Sequence, residues 1–286
     1  MHTQLIGNRG PIAISALSLC ISFHCLQPLA LTCDPTFSLL AGRGIGKIAL
    51  ILMVLVHCGL LVASMRQSLA RRWCAINVQF FGATTWLRSF AGMFLLFALL
   101  HAAMLVAASQ PHCITIDSQA LTLIPSKLGS LFFGLVTVFF LAWTEELIFR
   151  GTIFFILSQR LSVMSSMLIT SGIFALSHNL INPLAMVISQ WRLGLGLFLL
   201  GLFLNTLFVA TGTLAYSMGA HAGLVYIKVI LRRIPLIAYT QEAPWWFNAD
   251  LRQCLVVQAL FFIGIVGMLS VLQRTRGLRQ ERIECN

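Results

Sequence analysis

The sequence predicts an all-α, polytopic membrane protein with about eight transmembrane helices and a functional site inside the helix bundle. Two observations carry this prediction. The chain is 58% hydrophobic and only 9% charged, with a mean hydropathy of +0.90, whereas about 25% of the residues in a soluble globular domain are charged. Its apolar stretches are also close to the roughly 20 residues that a helix needs to cross a bilayer.

The candidate spans follow one another along the whole chain. They are residues 11–32, 46–65, 86–108, 129–157, 162–181, 193–211, 212–231 and 252–272. The first has Arg9 ahead of it, as a signal peptide would, but its apolar run is long for a signal peptide and further spans follow. No internal repeat or low-complexity tract divides the chain. We therefore predict a single membrane domain, 1–286, that ends in a basic tail, 273–286.

The formal charge of +11 would suggest a nucleic-acid partner in a soluble protein. Here the basic residues lie mostly in short loops and in the tail, where they determine topology and contact lipid headgroups. We therefore expect the lipid bilayer as a partner, and no nucleic acid. Eight spans place both termini on one side of the membrane. That side carries slightly more lysine and arginine than the other, which favours cytoplasmic termini. The simplest location is a bacterial inner membrane.

Two carboxylates and a guanidinium interrupt the apolar run of the fourth candidate span. A charge at the bilayer centre costs about 2.5–3.5 kcal/mol on insertion scales, so such groups must pair or line a polar cavity. Glu146 and Arg150 are four residues apart, on one helix face, and can pair. Glu145 points roughly 100–140° away from both and needs a different partner. The sequence thus predicts one paired carboxylate and one free carboxylate.

Two of the histidines in candidate spans have settings that suggest function. His178 follows Phe174 by one helical turn, so the ring can shield it from lipid. His221 lies between Gly219 and Gly223, which form a small-residue seam that lets the helix approach a neighbour closely. The three remaining intramembrane histidines have no acidic neighbour on their helix face, and we interpret them as hydrogen-bonded bundle residues. These are His24, His57 and His101.

These residue types allow two kinds of hydrolytic chemistry. A carboxylate in an apolar pocket suits a general base, an imidazole can share its water, and a second donor can stabilise an oxyanion. Alternatively, Glu145 and two histidines could hold Zn²⁺ with one open position. The chain contains no HExxH motif, and its eight cysteines show no zinc-site spacing. Composition and spacing do not choose between the two chemistries.

The pattern resembles the CAAX prenyl protease and bacteriocin-processing (CPBP, or abortive-infection) family of intramembrane proteases. Its EExxxR motif matches Glu145 to Arg150, and its FxxxH motif matches Phe174 to His178. Its HxxxN motif begins at His221, but Val225 stands at the asparagine position. The resemblance covers about 130–231, which would be the catalytic core.

This resemblance implies roles for the site residues. Glu145 would activate a water with His178, and His221 would donate to the oxyanion. Glu146 and Arg150 would hold the site together, as the helical geometry also suggests. The mechanism needs no metal, and we expect no cofactor. A site that binds Zn²⁺ is the alternative. The substrate would be a membrane-anchored protein or peptide, including the prenylated CaaX type.

Val225 cannot donate a hydrogen bond, and losing one oxyanion donor typically lowers the rate by about 10²–10³. Another amide would have to substitute, and the candidates are Asn179, Asn182 and Asn205. We therefore predict an intramembrane endopeptidase, with a non-proteolytic membrane scaffold of the same fold as the alternative. A transporter with a carboxylate proton relay is less favoured, because the polar residues cluster in one half of the chain.

Overall fold

The computed structural model describes residues 84–109, 113–179, 183–239, 244–248 and 250–284. The first two candidate spans, 11–32 and 46–65, lie outside the described residues, and so do His24, His57 and Asn182.

The described part of the chain is a bundle of helices with one small sheet. The helices are α1 (Thr84–Ser109), α2 (Ile124–Glu146), a π-helical segment (Leu147–Phe154), α3 (Phe155–Ser158), α4 (Val163–Ser177), α5 (Pro183–Ile188), α6 (Trp191–Thr211), α7 (Leu214–Arg233) and α8 (Leu255–Glu284). Short 3₁₀ helices cover Ser118–Leu123 and Leu251–Gln253, and the strands are β1 (Ile114–Ile116) and β2 (Ile237–Tyr239).

The six candidate spans that fall on described residues each correspond to an observed helix. Five helical stretches are long and apolar enough to cross a membrane: Thr84–Ser109, Ser118–Ser158, Trp191–Thr211, Leu214–Arg233 and Leu255–Arg274. The chain is an integral membrane protein, and its predicted helical fold class is confirmed. The span count of eight stays a prediction. Helix α8 also runs beyond the predicted end of its span at residue 272, into the basic tail.

The candidate span 162–181 is shorter than predicted. Helix α4 begins at Val163, where the Ser162 hydroxyl accepts a hydrogen bond from the Ser165 N–H, and ends at Ser177. Its 15 residues rise about 22 Å, less than the roughly 30 Å of a hydrocarbon core. Since neighbouring α6 and α7 have 21 and 20 residues, α4 ends inside the bundle, with His178 at its end.

The seam of Gly219 and Gly223 on α7 packs closely against a neighbouring helix, as predicted. That helix is α1. A Cβ added at Gly219 would collide with the carbonyl oxygen of Phe90, and one at Gly223 with that of Phe94. Only glycine lets the two backbones approach this closely. This contact fixes the depth of α7, and therefore of His221.

The sheet lies at one end of the bundle, which we call the strand end. Helices α1 and α7 end there, and α2 begins there. Strands β1 and β2 pair antiparallel, with Thr115 opposite Ala238. The sequence predicted neither strand. Each has three residues, too few for a period-two pattern to be recognised.

Candidate active site

The two glutamates close helix α2, where the helix changes its hydrogen-bonding pattern. Glu145 and Glu146 are the last two residues of α2, and Arg150 lies in the π-helical segment that follows. π-Helical turns inside α-helices are rare and frequent at functional sites. No residue of the segment is exposed, because α4, α6 and α7 all contact it.

Arg150 is fully buried and joins three elements. Its Nη1 donates to Oε1 of Glu146 at 2.9 Å, and its Nη2 donates to the carbonyl oxygen of Gly201 on α6, also at 2.9 Å. Its guanidinium lies over the ring of Phe174 on α4, 5.0 Å from the ring centroid. The predicted Glu146–Arg150 ion pair is therefore present. Removing one partner of a buried pair typically costs 3–5 kcal/mol.

His221 reaches from α7 to both glutamates. Its Nδ1 donates to Oε1 of Glu146 at 3.0 Å, the oxygen that also accepts from Arg150. Its Nε2 lies 3.6 Å from Oε2 of Glu145. A carboxylate that accepts from one ring nitrogen fixes the tautomer and the orientation of the imidazole. Glu146 therefore turns Nε2 of His221 towards Glu145.

Glu145 is the less constrained carboxylate. Its residue surface is only 6% exposed, and Oε2 has no hydrogen-bond partner. A separation of 3.6 Å is long for a hydrogen bond, and a bridging water is the usual way to join polar atoms at such distances. The structure thus bears out the predicted division into one paired carboxylate and one free carboxylate.

Phe174 connects the second histidine to this group. The Nδ1 of His178 donates to the carbonyl oxygen of Phe174 at 2.8 Å, which leaves Nε2 as the acceptor nitrogen of the neutral ring. The Phe174 ring centroid lies 4.7 Å from that of His178 and 6.3 Å from that of His221. The aromatic ring therefore contacts both histidines, and the predicted Phe174–His178 contact is present.

Asn205, one of the candidate substitutes for the missing asparagine, has other contacts. Nδ2 of Asn205 donates to the carbonyl oxygen of Met167 at 3.2 Å and to Oγ of Ser171 at 3.0 Å, so both of its N–H groups join α6 to α4. Val225 packs with Val138 and Ala142 of α2. The role of Asn205 at the site stays a prediction.

One contributor to the site escaped the sequence analysis. Gly201 supplies the carbonyl oxygen that binds Arg150, and a Cβ at this position would lie 3.1 Å from Phe174 and 3.2 Å from Ser171. A single glycine in an apolar helix gives no sequence signal for such a contact. The bundle role predicted for His101 is confirmed: its Nδ1 donates to the carbonyl oxygen of Leu224 at 2.9 Å.

The side chains around Glu145 do not form a three-ligand set. Within the described ranges, no three His, Cys, Asp or Glu side chains are grouped so that they could hold a metal ion. Zinc in a hydrolytic site takes three protein ligands and keeps one position open. Hydrolysis without Zn²⁺ stays a prediction.

A comparison with protein families matches the same region. Residues 127–227 match the family described as type II CAAX prenyl endopeptidase Rce1-like. The match contains both glutamates, Arg150 and both histidines, and it supports the resemblance to CPBP proteases over about a third of the chain. No curated protein and no solved structure gives a significant match.

Proposed function

We propose that this chain, whose residues 127–227 carry the Rce1-like endopeptidase core, is an intramembrane endopeptidase. It would hydrolyse a peptide bond in a membrane-anchored protein or peptide. Members of the Rce1-like family are generally proteases, and the chain has the apolar helices of a membrane protein.

The observation that carries the proposal is the position of Glu145 relative to His221. The free Oε2 of Glu145 lies 3.6 Å from Nε2 of His221, and Glu146 holds the other ring nitrogen. A purely structural ion pair would need Glu146 and Arg150 only. A second buried carboxylate with one oxygen that has no hydrogen-bond partner among the described residues is costly to keep, which favours a chemical role.

In the proposed reaction, Glu145 takes a proton from a water while the water oxygen bonds to the substrate's carbonyl carbon. In this scheme His221 is an imidazolium throughout: its Nδ1–H binds Glu146, and its Nε2–H donates to the oxyanion that forms. When the oxyanion collapses, the C–N bond breaks and Glu145 delivers the proton to the leaving amine. The products are one carboxylic acid and one amine, and Glu145 returns to its starting state. Positioned acid–base groups of this kind contribute about 10²–10⁴ to the rate.

His178 and Glu146 have supporting roles in this scheme. As the family resemblance implies, His178 would share the attacking water with Glu145, and the hydrogen bond from its Nδ1 to the Phe174 carbonyl orients the ring. The carboxylate of Glu146 stabilises the positive charge that the His221 imidazolium carries throughout the reaction. This charge support on His221 offsets part of the loss of an oxyanion donor at Val225.

The test is a comparison of protein termini in membranes from cells that express the wild type or Glu145→Gln at equal level. New termini that appear only with the wild type would support the proposal and identify the substrate. Asp117→Asn is a matched control, because it also removes one carboxylate, from an exposed 3₁₀-helix cap remote from the site. Identical termini in all three samples, with each protein folded and inserted, would contradict the proposal.

The alternative is a non-proteolytic membrane scaffold with the same fold, and Val225 is the residue that favours it. This alternative predicts that Glu145→Gln has no phenotype, while disruption of the Glu146–Arg150 pair destabilises the protein.

A further inference from the structure

Three buried polar atoms near the candidate active site take no part in the proposed mechanism. They are Nε of Arg150, Oγ1 of Thr170 and Oδ1 of Asn205, and none has a hydrogen-bond partner among the described residues. All three residues are 0% exposed. We call them the Asn205 cluster. A buried polar atom without a partner costs free energy, so each such atom in a folded protein calls for a specific explanation.

Helix α6 places Asn205 next to the Arg150 guanidinium. Nη2 of Arg150 donates to the carbonyl oxygen of Gly201 at 2.9 Å. In an α-helix such a carbonyl also accepts from the backbone N–H four residues later, which here belongs to Asn205. The guanidinium and the Asn205 backbone therefore meet at one oxygen atom, and the two side chains are close neighbours.

Helix α4 presents Thr170 to the same place. One buried face of α4 has the i, i+3, i+4, i+7 spacing and consists of Met167, Thr170, Ser171 and Phe174. The Asn205 amide binds the first and third of these residues, and the Arg150 guanidinium lies over the ring of the fourth. Thr170 therefore lies on the face of α4 that both other members of the cluster contact.

The hydrogen-bonding capacity left over in the cluster is well defined. Thr144 and Thr206, which are also buried, each donate to the carbonyl oxygen four residues earlier, at 2.6 and 2.8 Å. Thr170 makes no such bond, so its hydroxyl is available to another partner. Nδ2 of Asn205 must face the carbonyl of Met167, because a carbonyl only accepts, and this leaves Oδ1 as the unused acceptor.

The cluster thus offers one N–H donor, one acceptor and one hydroxyl that can do either. The charge of Arg150 would repel a cation. The carboxylate of Glu146, bound to the same guanidinium, would repel an anion. A neutral molecule that both donates and accepts fits these groups, and a buried water typically makes about three hydrogen bonds to polar atoms that have no other partner.

We propose that Nε of Arg150, Oγ1 of Thr170 and Oδ1 of Asn205 together bind an ordered water molecule. The water accepts from Nε, donates to Oδ1 and shares a hydrogen bond with the Thr170 hydroxyl. It ties the guanidinium to α4 and α6 through its third nitrogen, while Nη1 holds Glu146. The site is independent of the proposed cleavage reaction, because a non-proteolytic scaffold would contain the same buried arginine.

The first experiment uses the sign of a stability change. Thr170→Val replaces the hydroxyl by a methyl group of similar size. If the hydroxyl binds the water, the variant should melt about 2–4 °C below the wild type in detergent, because a hydrogen bond is lost. If the hydroxyl has no partner, valine should raise the melting temperature, because burying an unpaired hydroxyl is unfavourable.

Thr206→Val is the matched control for this measurement. The hydroxyl of Thr206 is equally buried, but it donates within its own helix to the Leu202 carbonyl. That carbonyl keeps its backbone hydrogen bond in the variant, so we expect a smaller decrease than at Thr170. A melting temperature of Thr170→Val that is unchanged, raised, or lowered no more than that of Thr206→Val would overturn the water site.

A double-mutant cycle tests whether the cluster shares one molecule. Asn205→Leu and Thr170→Val remove two partners of the same water, so their combined decrease in melting temperature should be smaller than the sum of the single decreases. Thr144→Val and Thr170→Val should instead be additive, because the Thr144 hydroxyl donates to the Phe140 carbonyl. Additive effects in the first pair would contradict a shared water.

Nuclear magnetic resonance of the wild type observes the water directly and does not require any variant to fold. In protein with ¹⁵N-labelled arginine, the Nε–H of Arg150 is identified by its contacts with the Phe174 ring. We expect a cross-peak between this fully buried N–H and water, and a weaker one in Thr170→Val. A wild-type spectrum in which the assigned Nε–H shows no contact with water would overturn the proposal.

Discussion

Nδ1 of His221 and Nη1 of Arg150 both donate to one atom, Oε1 of Glu146, at 3.0 and 2.9 Å. This shared oxygen joins α2, its π-helical continuation and α7 in a single buried contact. Glu145, the adjacent residue in sequence, has no such bond at Oε2. Two neighbouring glutamates therefore have different physical roles.

The first prediction concerns the stability of two isosteric variants. Glu146→Gln should lower the free energy of unfolding by about 3–5 kcal/mol, because Arg150 is then buried without its counter-charge. Glu145→Gln should change it by less than about 1 kcal/mol, since no hydrogen bond at Oε2 is lost. Thermal unfolding of the purified proteins in detergent measures both. Equal destabilisation by the two variants would contradict the division of roles.

The second prediction concerns Gly201. Gly201→Ala places a methyl group 3.1 Å from Phe174 and 3.2 Å from Ser171. This overpacking should cost about 1–3 kcal/mol of stability, and it should also lower activity because Phe174 contacts Arg150 and both histidines. The readouts are the melting temperature and the cleavage rate.

A matched control for Gly201 lies on the adjoining helix. A Cβ at Gly172 of α4 would meet nothing within 4 Å, so Gly172→Ala should be neutral or slightly stabilising because alanine is the better helix former. If both alanine variants behaved alike, the close approach at Gly201 would not matter to the site.

The third prediction concerns pH and Asp250, whose carboxylate accepts hydrogen bonds from Lys228 and Arg252. Because the pKa of Asp250 is depressed in the folded protein, its contribution to stability is fully present above about pH 4, the usual pKa of aspartate. It is lost as the pH falls from there towards the folded-state pKa. The difference in melting temperature between wild type and Asp250→Asn should therefore be constant at neutral pH and shrink below about pH 4. A difference that grew on acidification would have the wrong sign.

The fourth prediction concerns metal removal. Glu145 and His221 supply one oxygen and one nitrogen near each other, and the described residues offer no grouped third ligand. We therefore expect the cleavage rate to be unchanged after prolonged treatment with a zinc chelator and gel filtration. Loss of activity that returns on adding Zn²⁺ would support the zinc alternative instead.

The sequence was sufficient for features that depend on short-range geometry. The Glu146–Arg150 pair follows from a four-residue spacing, and the contact of Phe174 with His178 from the same spacing. The seam of Gly219 and Gly223 likewise predicts close approach to some neighbouring helix. Each inference needs only the helical repeat and the cost of charge in an apolar medium.

Contacts between helices were beyond the sequence, because the helical repeat does not say which helices are neighbours. It does not show that α1 packs on the α7 seam, that Gly201 accepts from Arg150, or that Asn205 binds Met167 and Ser171. The early end of α4 at His178 and the contact of Lys228 with Asp250 were beyond the sequence for the same reason.

The sequence by itself determined that this chain spans a membrane and that one buried glutamate is paired while its neighbour is not. The tertiary structure alone decided that His221 is the group facing Glu145, with Glu146 holding its other nitrogen. The physical reason is that hydropathy and helical spacing act along one chain segment. The position of an imidazole beside two carboxylates instead depends on how α7 packs against α2.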